Sequence, residues 1–132
     1  MTPELYWLAL SALFLLICWL PYILNRSQVR GLARAMGNPR DDDRPQAAWA
    51  ARAQKAHYNG VENLVVMATI VLIANAAKIS SSTTVMLVQV YFWARIAHYL
   101  VFAAGIPYVR TLTFFVGWLA TAWMGLIVIG VL

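Results

Sequence analysis

The first long apolar run of the sequence covers residues 5–24, and it is long enough to cross a membrane. A spanning helix needs about 20 consecutive, mainly apolar residues. No basic residue precedes the run, its apolar part is too long for a signal peptide, and no cleavage-site pattern follows it. We therefore interpret the run as a retained transmembrane helix, and we expect Pro21 to kink its end.

The composition extends this interpretation to the whole chain. Hydrophobic residues make up 62% of the 132 residues, charged residues make up 11%, and the mean hydropathy is +0.68. Soluble domains contain about 45–50% apolar residues. The core of a soluble domain of this length would be too small to bury the additional apolar side chains. Further apolar runs at 61–77, 84–104 and 111–132 predict a single domain, residues 1–132, that is an all-α membrane bundle with four transmembrane spans.

The longest connection is a loop predicted over residues 25–45. Its three consecutive aspartates, 41–43, are expected to cap the next helix rather than to hold a metal. That helix is predicted from Pro45, which suits a first helical turn, to residue 77. At 1.5 Å per residue it would be about 50 Å long and would protrude from a hydrocarbon core of about 30 Å. Residues 78–83 and 105–110 are predicted turns.

The positive charge of the chain indicates its orientation in a membrane. The connection between the first two spans carries seven basic residues, which are Arg26, Arg30, Arg34, Arg40, Arg44, Arg52 and Lys55. The next connection carries only Lys78. The positive-inside rule then places both termini outside and the basic loop in the cytoplasm. The net charge of +5 follows this topology, so no nucleic-acid partner is predicted.

Few residues are available for metal or redox chemistry. Cys18 is the single cysteine and cannot form an intrachain disulfide, and no cysteine–histidine zinc pattern is present. The two histidines, His57 and His98, are too few to supply the ligands of a metal ion, so no metal site is predicted.

A polar stripe runs into the second span. Lys55, Asn59 and Glu62 are spaced i, i+4 and i+7, which places them on one face of a helix. Arg95 and His98 in the third span and Arg110 at the start of the fourth are expected at the same depth on the cytoplasmic side, and Arg30 lies in the adjoining loop. The unusual polar residues therefore converge at one end of the predicted bundle.

Two interpretations of this convergence are open. An arginine inside a membrane costs about 2.5–3.5 kcal/mol on insertion scales, so Arg95 needs a partner, and Glu62 is the only embedded carboxylate expected to reach it. Glu62–Arg95 would then be a structural ion pair, with the other cations snorkelling to the interface. Alternatively, the cations form a pocket for a small anionic or zwitterionic ligand, with Glu62 holding an amine.

The same residues carry a resemblance to a known family. The stretches that carry it are Val29-Arg30 followed by Gly37-Asn38-Pro39, then Arg52-x-x-Lys55-Ala56-His57-x-Asn59-x-x-Glu62, then Arg95-x-Ala97-His98, and last Pro107-x-x-Arg110-Thr111. Together they resemble the MAPEG superfamily, the membrane-associated proteins of eicosanoid and glutathione metabolism, and within it the short bacterial-type members. The second stretch is the most specific.

The resemblance implies a homotrimer that binds glutathione in cytoplasm-facing pockets between neighbouring subunits, in a bacterial inner (plasma) membrane. By position, the cofactor-binding residues would be Arg30, Lys55, Asn59, Glu62, Arg95, His98 and Thr111, and the catalytic residue would be Arg110. Arg110 matches the arginine that stabilises the glutathione thiolate, because a cation next to sulfur lowers the thiol pKa. The expected activity is that of a glutathione transferase or peroxidase on lipophilic small molecules that arrive from the membrane lipids.

Some positions depart from the pattern of the prostaglandin-synthase-like members. Phe102 and Phe114 stand where those members have tyrosines that contact the tripeptide, Tyr58 replaces a basic residue, and Lys55 replaces an arginine. These losses favour an alternative, a non-catalytic lipid-binding or scaffolding protein on the same fold.

Overall fold

The computed structural model describes all 132 residues, and the chain forms six helices and no strands. They are α1 (Pro3–Ile17), α2 (Leu20–Arg30), α3 (Leu32–Met36), α4 (Ala48–Ala76), α5 (Ser82–Ala104) and α6 (Pro107–Val128). Because α1 and α2 continue one another, Pro3–Arg30 counts as one segment, and with α4, α5 and α6 it gives four segments able to cross a membrane by length and composition. The prediction of an all-α fold with four spans is confirmed.

The break between α1 and α2 lies immediately before Pro21. Proline lacks an amide hydrogen, and its ring collides with the carbonyl four residues earlier, which here belongs to Ile17. The helix therefore stops at Ile17 and resumes at Leu20. The Tyr99 hydroxyl on α5 donates to the Cys18 carbonyl in this break at 2.9 Å. A hydroxyl from a neighbouring span thus stabilises a carbonyl at the irregular point of the first span.

Replacing Tyr99 by phenylalanine is expected to destabilise the bundle by about 1–2 kcal/mol, because a buried carbonyl loses its donor inside the membrane. Thermal unfolding in detergent measures the effect. Tyr108→Phe is the matched control, since the Tyr108 side chain is 88% exposed. Equal unfolding temperatures for the two variants would show that the Tyr99 hydroxyl contributes nothing.

The structure corrects the prediction for the connection between the first two spans. Much of the predicted loop 25–45 is helical, because α2 continues to Arg30 and α3 follows Gly31, whose φ is +81°. α4 begins at Ala48 without a side-chain cap, so the aspartates do not cap it and Pro45 lies before its first turn. Instead, the Asn25 Oδ1 atom on α2 accepts a hydrogen bond from the Ala47 amide at 3.0 Å, which fixes where α4 starts.

The turn between α4 and α5 closes with a reciprocal cap. The Ser81 side chain accepts from the Thr84 amide, and the Thr84 hydroxyl accepts from the Ser81 amide. At the other end, α5 stops at Gly105, and α6 begins at Pro107 rather than at the predicted residue 111. Proline suits this first position because its missing amide hydrogen would have no helical partner there.

The interior contains two apolar clusters. One joins α4, α5 and α6 through Met67, Val71, Val88, Tyr91 and Met124, near the chain's amino terminus. The other lies at the opposite end and includes Leu15, Tyr22, Ala53, Ala56 and Tyr99. Many large apolar side chains on the outside of the helices remain exposed, as a lipid-facing surface requires. The polar residues discussed below lie at the end of the second cluster.

Candidate functional site

The site lies where the start of α4, the end of α5 and the start of α6 meet. Arg52 joins two of these elements, because its Nε donates to the Ala103 carbonyl near the end of α5 at 3.0 Å. Gly105 follows with φ +81°, and a Cβ atom there would lie 3.0 Å from the Arg52 Cζ. Only glycine combines this backbone conformation with so close an approach of the guanidinium.

Arg95 is the buried charge of this region. Its side chain on α5 is 5% exposed, and its Nη2 donates to the Asn59 Oδ1 on α4. Its Nε and Nη1 have no hydrogen-bond partner. A Cβ atom at Gly117 on α6 would lie 3.4 Å from the Arg95 Cδ, so the small residue makes room for the arginine. The guanidinium therefore fills the space between three helices and contacts one of the predicted site residues directly.

The Glu62–Arg95 ion pair, one of the two interpretations of the polar residues, does not form within the chain. Glu62 is exposed and forms no salt bridge, and the three salt bridges of the chain involve only Arg30, Arg34 and two aspartates. Residues three apart on a helix are rotated by about 60° from one another. With Asn59 directed at Arg95, Glu62 is turned toward the outside of α4.

His98 connects α5 to α6. Its Nδ1 lies 3.1 Å from the Arg110 carbonyl oxygen and 3.3 Å from the Thr113 Oγ1. Because a carbonyl oxygen only accepts, Nδ1 carries the proton, and Nε2 is left buried without a partner. The rings of Phe102 and Phe114 lie 5.6 and 6.0 Å from the imidazole. The histidine thus makes an interhelical contact while its second ring nitrogen stays unpaired among aromatic rings.

Arg110 lies at the exposed side of the site and is itself partly buried. Its guanidinium carbon lies 4.7 Å from the centroid of the Phe102 ring, a cation–π geometry. No carboxylate of the chain pairs with it. The neighbouring Thr111 is exposed, and its hydroxyl donates to the Pro107 carbonyl at 3.2 Å. The positive charge of Arg110 is therefore held in place by an aromatic ring and is not neutralised by another group of the chain.

Arg30 belongs to a separate network. Its Nη1 pairs with the Asp43 Oδ2 at 3.1 Å, its Nε donates to the Arg44 carbonyl at 2.7 Å, and Arg34 pairs with the same aspartate. The Arg40 amide, which donates to the carboxylate, and the two guanidinium groups hold the pKa of Asp43 below its usual range. The aspartate that was expected to cap α4 instead ties the connecting segment to α2 and α3.

Asp43→Asn is expected to loosen residues 37–47, because Arg30 loses its only carboxylate and Arg34 keeps only its longer pair with Asp42. Since the folded-state pKa of Asp43 is lowered, its stabilising effect is complete at neutral pH and is lost as the pH falls through and below the ordinary carboxyl range. Hydrogen exchange of this segment would report both effects. Asp41→Asn, at an exposed aspartate without a salt bridge, serves as the control. Unchanged exchange in Asp43→Asn would contradict the assignment.

The structure brings together some of the predicted site residues but not all of them. Asn59 contacts Arg95, and His98 contacts Arg110 through its carbonyl. Lys55, Glu62 and Thr111 are exposed and touch none of these, and Arg30 is engaged by Asp43. The chain therefore presents an open polar surface at this end of the bundle.

A large apolar groove lies next to this surface. It has a volume of about 640 Å³, and the residues that line it include Trp7, Val90, Trp93, Leu112, Thr113 and Val116. Thr113 also lies within hydrogen-bond distance of His98 and donates to the Arg110 carbonyl at 2.9 Å. The groove on α5 and α6 is therefore connected to the polar surface through one side chain.

Comparison with known families accounts for this combination of four spans and one polar end. The sequence model described as the MAPEG family matches residues 5–130 of the 132-residue chain. The chain belongs to the MAPEG family. Members of this family are membrane-embedded, typically oligomeric, and include glutathione transferases and peroxidases. No curated protein and no solved structure matches this MAPEG chain.

Two polar residues of this MAPEG protein received no separate role from its sequence. Arg52 was counted among the basic residues between the first two spans and begins the second family stretch, but no partner was predicted for it, and its partner Ala103 is 51 positions away. Glu4, which immediately precedes the first apolar run, received no interpretation, yet it is 3% exposed and accepts hydrogen bonds from Thr84 and Ser80. An acidic residue in a first helical turn is a common feature, so no signal distinguished Glu4 in advance.

Proposed function

We propose that this protein is a membrane-bound, glutathione-dependent transferase or peroxidase that acts on lipophilic electrophiles. The observation that carries the proposal is the guanidinium of Arg110, which lies at the polar end and which no carboxylate of the chain neutralises. The backbone carbonyl of the same residue is hydrogen-bonded to Thr113, a lining residue of the apolar groove. Membership of a family whose members use glutathione supports the choice of cofactor.

Arg110 would stabilise the glutathione thiolate. A cation next to sulfur lowers the thiol pKa and raises the nucleophilic fraction near neutral pH. The thiolate sulfur would then bond to an electrophilic carbon of the second substrate, while a leaving group departs with its electron pair or an activated double bond takes up the electrons and a proton. With a lipid hydroperoxide, the sulfur would attack the terminal oxygen, the O–O bond would break to release the alcohol, and a second glutathione would convert the sulfenic acid to glutathione disulfide and water. The Phe102 ring under the guanidinium restricts the movement of the side chain, which keeps the positive charge where the sulfur would lie.

The remaining residues would position the tripeptide. Lys55 suits a carboxylate of glutathione and Glu62 suits its amine, because each pair has opposite charge. Arg30 would contribute by exchanging Asp43, its present partner, for the second carboxylate. His98 and Thr111 would offer neutral hydrogen bonds. Asn59 would do the same, with its orientation set by the buried Arg95. Catalysis would rest on proximity and thiolate stabilisation.

The groove of about 640 Å³ would admit the lipophilic substrate laterally from the bilayer. Its lining residue Thr113 is bonded to the Arg110 carbonyl, so a molecule at that end of the groove would lie close to the polar surface. The electrophile would therefore reach the thiolate from the end of the groove that adjoins the polar surface.

The working unit would be a homotrimer. Glu62 and Lys55 lie exposed on a helix that continues into an apolar segment, and an unpaired charge at that place is costly. A neighbouring subunit would cover these residues and close the glutathione pocket. The basic loop would place the site on the cytoplasmic side of a bacterial inner (plasma) membrane, with both termini outside.

Calorimetric titration of glutathione into the detergent-solubilised protein tests the proposal. We expect saturable heat at millimolar concentrations or below, which is lost in Glu62→Gln and in Arg110→Ala. Absence of heat from the folded protein at several millimolar glutathione would overturn the proposal.

The second candidate is a lipid-binding or scaffolding protein without catalysis. It is favoured by Phe102 and Phe114, which surround His98 with rings that carry no hydroxyl group. It predicts that apolar ligands bind without glutathione and that binding is unchanged in Arg110→Ala. Titration of a lipophilic fluorescent probe with and without glutathione separates the two candidates.

A further inference from the structure

A second polar cluster lies at the end of the bundle opposite Arg110, where α1 begins and α4 turns into α5. The Glu4 side chain there is 3% exposed. Its Oε1 accepts hydrogen bonds from the hydroxyls of Thr84 at 2.6 Å and Ser80 at 2.8 Å. Its Oε2 has no hydrogen-bond partner. A buried carboxylate with an unpaired oxygen is costly, because that oxygen has lost its water without gaining a donor.

Glu4 lines a cavity of about 270 Å³. The other polar residues around the cavity are Thr2, Asn75, Lys78 and Ser80, and its apolar wall is formed by Val71, Ala74 and Ile79. Lys78 is exposed and forms no salt bridge. The cavity therefore combines one carboxylate and one ammonium group that are not paired with each other.

The backbone of Lys78 is unusual. Its φ of +56° makes it the one non-glycine residue of the chain with positive φ. It lies just beyond α4, where the Ile79 amide bonds back to the Ala74 carbonyl at 2.9 Å, and glycine is the usual residue at such a position. A side chain in this conformation is strained. Because glycine would adopt this positive φ with less strain, the presence of lysine indicates that its side chain has a function.

We propose that this cavity binds the headgroup of an ethanolamine phospholipid, with the primary ammonium at Glu4 and the phosphate at Lys78. The carboxylate and the ammonium of the protein match the two charges of that zwitterion. The free Oε2 needs an N–H donor, which a primary ammonium supplies and a quaternary choline does not. The cavity lies at the end of the membrane-spanning helices, where lipid headgroups are found, and its apolar wall suits the glycerol and the start of the acyl chains.

Native mass spectrometry of the detergent-solubilised protein with phosphatidylethanolamine and phosphatidylcholine of identical acyl chains tests the site. We expect the wild-type protein to retain the ethanolamine lipid about fivefold more than the choline lipid. The preference should disappear in Glu4→Gln and in Lys78→Gly, and Lys78→Arg should keep it.

Lys78→Gly also separates binding from folding. Glycine relieves the backbone strain, so this variant is expected to unfold at the wild-type temperature or above it while losing the lipid preference. Equal retention of both lipids by the wild-type protein, or an unchanged preference in both Glu4→Gln and Lys78→Gly, would overturn the proposal.

Free phosphoethanolamine distinguishes a lipid from a soluble ligand with the same charges. If it raises the unfolding temperature of the wild-type protein but not of Lys78→Gly, while the two lipids are retained equally, the site takes a soluble zwitterion and the lipid assignment is wrong. The site lies at the other end of the bundle from Arg110, so this result is independent of whether glutathione binds.

Discussion

Arg110→Ala is expected to lower the glutathione thiolate fraction at neutral pH by about tenfold or more, and the rate of attack with it. A free thiol has a pKa of about 8.5, and a nearby cation brings it to about 7 or below, so removal of the cation returns most of the cofactor to the unreactive thiol. Arg110 is the cation at this end of the bundle that is held by an aromatic ring and paired with no carboxylate.

The ultraviolet absorbance of the thiolate on addition of glutathione measures this effect directly. Arg110→Lys should keep part of the signal, because it restores the charge but not the planar group over Phe102. Arg40→Ala removes an exposed arginine of the connecting segment and should leave the signal unchanged. A full thiolate signal in Arg110→Ala would mean that another group stabilises the sulfur, or that the protein does not activate glutathione.

Asn59→Leu is expected to destabilise the bundle by about 2–4 kcal/mol, because it removes the one hydrogen-bond partner of a buried guanidinium. The Nη2 of Arg95 donates to Asn59, and the Nε and Nη1 already lack partners. The variant would leave a buried charge without any acceptor. Thermal unfolding in detergent, with the midpoint compared to that of the wild-type protein, reports the change.

Two further variants identify the cause. Asn59→Asp places a carboxylate beside Arg95 and should raise the unfolding temperature, because the charge gains a counter-ion. Combining Asn59→Leu with Arg95→Leu should recover most of the lost stability, since both polar groups are then replaced by apolar ones. If the double variant is as unstable as Asn59→Leu alone, the loss comes from packing around residue 59 rather than from the unpaired charge.

The sequence predicted the features that depend on local chemistry. The apolar runs predicted four spans because backbone and side chains inside a bilayer must be apolar or paired over a fixed length. Pro21 predicted the interruption of the first span because proline excludes a helical hydrogen bond wherever it occurs. The convergence of Asn59, His98 and Arg110 at one end followed from their positions along antiparallel spans.

The pairings within that end did not follow from the sequence. Asn59 and Glu62 share a helix face, and the rotation of α4 against α5 decides which of them meets Arg95. Several backbone amides and arginines lie at similar sequence distances from Asp43, so the sequence does not show which of them its carboxylate contacts. The packing of α3 against α2 places Arg30 and Arg34 next to it. A small rotation or shift changes each partner, and no local pattern encodes it.

The sequence by itself therefore determined the number of spans, the irregular point in the first span and the end of the bundle that carries the polar residues. These follow from the cost of placing polar groups in hydrocarbon, which each residue incurs wherever its neighbours lie. Only the tertiary structure decided that Arg95 bonds to Asn59, that Arg110 lies over Phe102, and that Glu4 joins α1 to α5. Those contacts join residues as many as 80 positions apart, and helix rotation and packing set them at the scale of a single side chain.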